Sequence, residues 1–182
     1  MSQISAAATD DFSLFGLPQR FAQDEAAIDA VWRRLQAAAH PDRAASDAQA
    51  QRIAVQASAR INQAHRRLKD PLARAAYLCE LAGVPVDGTS QQPLDPAFLV
   101  QQMNWREALD DAGDAASVER LAQEVQVAER AALDTLAHLF DNENDPKRAS
   151  DQIRMLMFLK RLLSAVEQRL DQLESAGSAA RS

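Results

Sequence analysis

Residues 24–43 read DEAAIDAVWRRLQAAAHPDR, and this stretch decides the fold of the first half of the chain. Its opening Asp-Glu pair is typical of a helix start, and apolar residues then recur at helical spacing. Pro41 disfavours the α conformation in the residue before it, so the helix must end near His40. The stretch therefore predicts an amphipathic helix that carries Arg33 and Arg34 and ends in a His-Pro-Asp loop.

The residues after this loop predict a second, longer helix that returns beside the first. It should start around Ser46 or Asp47 and run to about Lys69. Its many alanines permit a close antiparallel approach of the two helices. Its inward row is predicted to be Ile53, Ala54, Ala57, Ile61, Ala64 and Leu68.

Two shorter helices are predicted to flank this hairpin. The first is capped by Asp10 or Asp11 and is stopped by Gly16. The other begins at Pro71, a residue that suits the first position of a helix, and ends at Gly83.

The second half of the chain predicts a helical bundle behind a linker rich in turn-forming residues. The three helices should run over about 95–111, 115–140 and 145–174. The last one repeats apolar residues at spacings of three and four, typical of the inner seam of a bundle: Leu156, Leu159, Leu163, Val166, Leu170 and Leu173. We therefore predict an all-α protein with a hairpin domain (10–83), a linker (84–96) and a C-terminal three-helix bundle (97–174).

Composition agrees with this fold class and excludes several functions. The chain is 47% hydrophobic but has only 5 Gly and 5% aromatic residues, as helices favour. Residues 1–82 hold 10 Lys/Arg against 9 Asp/Glu (+1), and residues 83–182 hold 10 against 17 (−7). Because the charge is so unevenly spread, the two halves are expected to meet different partners. Neither half has the strongly basic surface that nucleic-acid binding requires, so DNA or RNA is not an expected partner.

The cysteine and histidine content leaves little room for metal or redox chemistry. Cys79 is the only cysteine and lies in an apolar run, so we expect a small buried side chain rather than a disulfide. With three scattered histidines, the chain offers no closed zinc or iron-sulfur ligand set, and we expect no resident metal or cofactor. The sequence has neither a signal-type N-terminus nor an apolar run of membrane length, so a soluble, cytoplasmic protein is expected.

The order and spacing of these elements resemble the J domain of the DnaJ class. A short helix, a basic amphipathic helix, a loop with His-Pro-Asp and a long Ala-rich helix follow one another in that family. The resemblance implies that His40, Pro41 and Asp42 contact a DnaK-type ATPase, and that Arg33, Arg34 and Arg43 steer its docking. Stimulating a partner's ATPase is a coupling between sites, so the chain itself is not expected to be an enzyme. The plain alternative is that the histidine and the aspartate only cap helix ends.

The whole chain from about residue 11 to residue 173 resembles the HscB family of iron-sulfur cluster co-chaperones. The stretches that carry this resemblance are DFSLFGLP, AAHPDRAAS, SARINQAHRRLKDPLARAAYL, DPAFLVQQMNWREALDD and RMLMFLKRLL. It implies two partners, an HscA-like ATPase chaperone and an IscU-like scaffold protein, and places scaffold binding on Leu99, Val100, Met103, Asn104, Glu107, Asp111 and Phe158.

The helical periodicity of the bundle independently suggests a protein-binding face. Phe98, Trp105 and Leu109 form one apolar row on the helix after residue 95, while Leu99, Val100 and Met103 form a second. Met155, Phe158 and Leu162 likewise lie off the seam of the last helix. Exposed apolar residues rimmed by acids are typical of a docking site. The alternative is that both helices bury a wide stripe in the bundle core.

Two other functions compete with this interpretation. His138 on the bundle could accept a phosphoryl group, but apolar neighbours flank it and no Lys or Arg lies within a turn. Alternatively, the bundle serves self-association or another client, whereas we expect a monomer.

Overall fold

The structure is a computed structural model that describes residues 10–39, 48–84, 86 and 94–179, with side chains described as far as residue 176. Within these ranges the chain is helical and contains no strand, so the predicted fold class is confirmed. The helices are α1 (Asp11–Phe15), α2 (Glu25–Ala38), α3 (Ala48–Lys69), α4 (Pro71–Leu81), α5 (Pro96–Asp111), α6 (Ala115–His138) and α7 (Pro146–Ala179). None of these described helices combines the length and apolar character needed to cross a membrane.

Aspartate caps set most of the helix starts. In six of the seven helices an aspartate carboxylate accepts a hydrogen bond from a backbone N–H of the first turn, which satisfies a donor that has no partner inside the helix. The capping residues are Asp10, Asp24, Asp70, Asp95, Asp114 and Asp145. The residues before α3 lie outside the described ranges, so its predicted start at Ser46 or Asp47 does too.

The chain divides into two compact units, Met1–Leu78 and Cys79–Ser182, so the division falls inside α4. The sequence places the end of the first domain at residue 83, where Gly83 ends α4 with a positive φ of 74°. Most of the predicted linker lies outside the described residues. The predicted ranges 10–83, 84–96 and 97–174 stay a prediction.

The first unit packs α1 and the start of α4 against the α2–α3 hairpin. Phe12 and Phe15 of α1 are buried, and Gly16 ends this helix in the left-handed conformation, as predicted. Asp11 is fully buried and forms ion pairs with Arg60 and, at 3.3 Å, with Arg67 of α3. These ion pairs join α1 to α3.

The inward row predicted for α3 is confirmed only in its C-terminal half. Ile61, Ala64 and Leu68 are buried, but the Ile53 side chain is 59% exposed, so that prediction was wrong. Since Gln36 bonds Ser58, the antiparallel register carries the first turns of α3 beyond the last residue of α2. The described residues therefore offer Ile53 no helix to pack on.

The second unit is centred on the antiparallel pair α6 and α7. The core includes Val118, Val125 and Leu136 of α6 and Ile153, Leu156, Leu159 and Val166 of α7. A π-helical segment, Leu139–Glu143, follows α6, and Asn144 then adopts the left-handed conformation before α7 starts. Sequence periodicity predicts that the α-helix continues to residue 140, but in the structure residues 139 and 140 belong to the π-helical segment.

Cys79 is confirmed as a buried residue. Its thiol has no exposed area and lies 3.4 Å from the Pro146 carbonyl oxygen. Burial raises the pKa of this thiol to about 11, because the thiolate would lose its hydration. The thiol is therefore held in its unreactive, protonated form.

Candidate functional site

The first candidate surface is the basic side of α2. Arg33 and Arg34 are both exposed there, in the second half of the helix. Ala39 closes the last turn, because its backbone N–H donates to the Leu35 carbonyl at 3.0 Å. His40, Pro41, Asp42 and Arg43 lie outside the described residues, so their predicted roles stay predictions.

A row of polar side chains fixes α2 against α3 beside this surface. We call this row the polar ladder; it consists of Asp29, Trp32 and Gln36 of α2 and Ser58, Asn62, His65 and Lys69 of α3.

The central rungs of the polar ladder converge on one amide. The Asn62 side-chain oxygen accepts from the Trp32 indole at 2.9 Å and from the Gln36 amide at 2.6 Å. One rung further towards the loop, the Ser58 hydroxyl donates to the Gln36 amide oxygen at 2.8 Å.

The rungs farthest from the loop are ionic. The Asp29 carboxylate bonds His65 Nε2 and Lys69 Nζ, each at 2.7 Å, and the His65 ring stacks on Trp32 with 4.8 Å between ring centroids. The hydrogen bond from Lys69, and then that from His65, lowers the pKa of Asp29. Because small alanines would tolerate several registers, these directional bonds select one.

Sequence reasoning missed the polar ladder, although the signal was present. Its members recur at spacings of three and four on both helices, which places them on one side of each helix. Matching the two polar rows in antiparallel order would have found the register.

The second candidate surface lies on α5, whose two apolar rows behave differently. Phe98 and Trp105 are buried, with their rings in an edge-to-face contact at 6.4 Å. The side chains of Leu99, Val100 and Met103 are 42%, 58% and 70% exposed. A bundle core that buried a wide stripe would have covered them, so that alternative is wrong for α5.

The exposed residues form one continuous face. At about 100° per residue, the six predicted positions on α5 span roughly 140° of the helix circumference, opposite the buried row. We call this surface the exposed α5 face; it consists of Leu99, Val100, Met103, Asn104, Glu107 and Asp111, all of which are exposed. Three apolar side chains thus stand beside an amide and two carboxylates, free to meet a partner.

Of the three apolar residues predicted off the seam of α7, one is part of the core and two are half-buried. Leu162 is buried and Met155 is half-buried. The alternative that α7 buries a wide apolar stripe in the bundle core is therefore correct for Leu162. Phe158 is half-buried, and its ring meets Phe98 edge to face at 5.8 Å. The Phe158 ring therefore packs against the buried row of α5 and helps to hold this helix in place.

His138 bonds a carboxylate in the structure. Its Nε2 lies 3.0 Å from Glu143 Oε1, and the other oxygen of Glu143 accepts from Arg148 at 2.5 Å. A phosphoryl group on this nitrogen would have to displace Glu143 and would then face its negative charge. This geometry opposes phosphotransfer through His138.

Comparison with known proteins gives one consistent family. A family model described as "HSCB C-terminal oligomerisation domain" matches residues 94–167, which include the exposed α5 face. The "Co-chaperone protein HscB homolog" of Bordetella petrii is 49% identical over 158 residues, covering 86% of this chain and 93% of that protein.

Solved structures agree. "Chaperone HscB from Vibrio cholerae" superimposes with a TM-score of 0.79 at 36% identity, covering 91% of this chain and 99% of the other. Human co-chaperone protein HscB shares the fold, with a TM-score of 0.86 at 22% identity over 92% of this chain and 85% of the other.

Proposed function

Since this chain belongs to the HscB family of co-chaperones and serves iron-sulfur cluster assembly, we propose that it presents a scaffold protein to a DnaK-type ATPase while stimulating that ATPase. The ATPase partner is HscA-like and the scaffold partner is IscU-like. The chain acts as an activator without a reaction of its own, and it works in the cytoplasm as a monomer.

The exposed α5 face carries this proposal. Burial of Phe98 and Trp105 is enough to pack α5 against the rest of the bundle. Leaving Leu99, Val100 and Met103 in water costs hydrophobic free energy that only a partner can recover. Glu107 and Asp111 rim these residues and restrict the choice of partner, because charged rims add specificity more than affinity.

Phe158 supports this face indirectly. Its edge-to-face contact with Phe98 holds α5 on α7, which keeps the exposed side chains in a fixed arrangement. Because these side chains are already ordered, less conformational entropy is lost when a partner docks.

The ATPase contact falls on the first unit. Exposed Arg33 and Arg34, with Arg43 beyond the described residues, steer the His-Pro-Asp loop onto an acidic surface of the ATPase. The polar ladder supports this role because it fixes α2 and therefore the direction of its basic side. Holding the scaffold on the second unit meanwhile raises its effective concentration at the chaperone.

Self-association is the second candidate function for the exposed α5 face. It is favoured by the description of the matching family model as an oligomerisation domain. Sedimentation of the full chain, alone and with an IscU-type scaffold, separates the two. Concentration-dependent dimers that the scaffold does not dissociate would assign the face to self-association.

The main test combines calorimetry and enzyme kinetics on the full chain. We expect saturable one-to-one binding of an IscU-type scaffold, and a rise in the steady-state ATP hydrolysis of a DnaK-type chaperone that is larger with the scaffold present. No heat of scaffold binding, together with no stimulation, would refute the proposal.

A further inference from the structure

A groove lies where the end of α5 meets the start of α6. Its volume is about 290 Å³, and it lies wholly within the second unit. The groove has a small apolar floor of Ala108, Ala112 and Leu121 and a larger polar rim. The rim consists of Asp111, Ser117, Arg120 and Glu124.

The groove continues the exposed α5 face. Asp111 belongs to both, since it is the last residue of that face and it lines the groove. Ala108 lies one turn before Asp111, on the side of α5 that turns towards α6. A partner that covers the exposed α5 face can therefore also contact the groove, because the two surfaces are continuous.

The charge in the groove is unbalanced. Arg120 donates to the Ser117 hydroxyl at 3.0 Å. Hydrogen bonds from Ser117 lower the pKa of Asp114, and the nearby positive charge of Arg120 lowers it further. Arg120 therefore contacts the helix cap through Ser117, and it makes no ion pair with Asp111 or Glu124 within the described residues.

The two carboxylates of the rim, by contrast, are uncompensated. Asp111 and Glu124 form no hydrogen bond or ion pair within the part of the chain that the structure describes. Glu124 lies one turn after Arg120 but makes no ion pair with it there. The groove consequently combines an apolar floor with two unpaired carboxylates and one guanidinium.

We propose that this groove receives a lysine or arginine side chain of the scaffold protein that docks on the exposed α5 face. The aliphatic stem lies on Ala108, Ala112 and Leu121, and the cationic head lies between Asp111 and Glu124. Such a side chain matches both the apolar floor and the charge of the rim, which an acidic or purely apolar side chain would not. This inference rests on the proposed function and extends its site to α6.

Two substitutions of opposite sign test the groove, with an IscU-type scaffold titrated into the full chain. Glu124→Gln should weaken binding about two- to five-fold, as expected for one partly exposed charge pair, and should reduce the salt dependence of the affinity. Arg120→Gln should strengthen binding, because it removes a charge that repels the incoming cation. Glu119→Gln is the matched control, since Glu119 is an exposed glutamate of α6 outside the groove.

The outcomes separate this inference from the proposed function. Met103→Ala changes only the exposed α5 face, so unchanged affinity in that variant would count against the face itself. If Met103→Ala weakens binding but Glu124→Gln behaves like the control, the face stands and the groove has no role. Weaker binding on Arg120→Gln would show that the groove meets an acidic group, which overturns the inference.

Discussion

Two valines with the same exposure give a matched test of the exposed α5 face. Val100 lies on that face and Val127 lies on α6, and each side chain is 58% exposed. Both Val100→Ala and Val127→Ala remove two methyl groups that are mostly in water. Both variants should therefore fold with almost unchanged stability, as expected for surface substitutions.

The magnitude follows from the exposed fraction. Burying one methylene-sized group stabilises a complex by about 0.8 kcal/mol, so two groups that go from 58% exposed to buried contribute about 1 kcal/mol. This free energy corresponds to about a five-fold change in Kd. We expect Val100→Ala to lose this factor and Val127→Ala to lose nothing.

Calorimetric titration with an IscU-type scaffold measures both constants, and urea unfolding checks that stability is equal. Equal affinities for the two variants would refute the assignment of the exposed α5 face. So would a loss that is larger for Val127→Ala.

Two substitutions and one labelling experiment test the packing. Asp11→Ala should lower the free energy of unfolding, measured in urea, by about 2–3 kcal/mol. This is at or below the loss typical of a broken buried ion pair, because the two arginine partners are partly exposed to water and can be solvated there. A loss well under about 1 kcal/mol would contradict this. The hydrogen bond from Lys69 lowers the pKa of Asp29 below its usual 3.8, so its stabilisation is complete above about pH 4 and is lost as the pH falls through the lowered pKa. The Tm difference between wild type and Asp29→Asn should accordingly disappear in acid, and a constant difference from neutral pH to pH 2 speaks against the ionic rungs. Because burial raises the pKa of Cys79 to about 11, a thiol reagent at pH 8 should label it only after urea unfolds the chain, and rapid labelling of the native protein would exclude this burial.

Much of the fold could be predicted because its signals are local. Aspartates before apolar periodic segments gave helix starts, and Pro41, Gly16 and Gly83 gave helix ends. The exposed second row of α5 could also be predicted, since one helix carried more apolar residues than one seam can bury.

The remainder depends on which helices meet. Ile53 has the spacing of a core residue, but whether it is covered depends on where α2 ends relative to α3. Leu162 and Phe158 share a helix surface, yet only contact with neighbouring helices decides that one is buried and the other half-buried. The π-helical segment has no periodic signature of its own, so the sequence could not distinguish it from the end of α6.

The central claim is that one chain stimulates an ATPase through its first unit and binds a scaffold through its second. The ATPase stimulation given by His40→Gln tests this claim most directly. With a DnaK-type chaperone and an IscU-type scaffold, this variant should bind the scaffold with the wild-type Kd and leave ATP hydrolysis at the unstimulated rate. Stimulation equal to that of the wild type would contradict the assignment of the His-Pro-Asp loop to the chaperone.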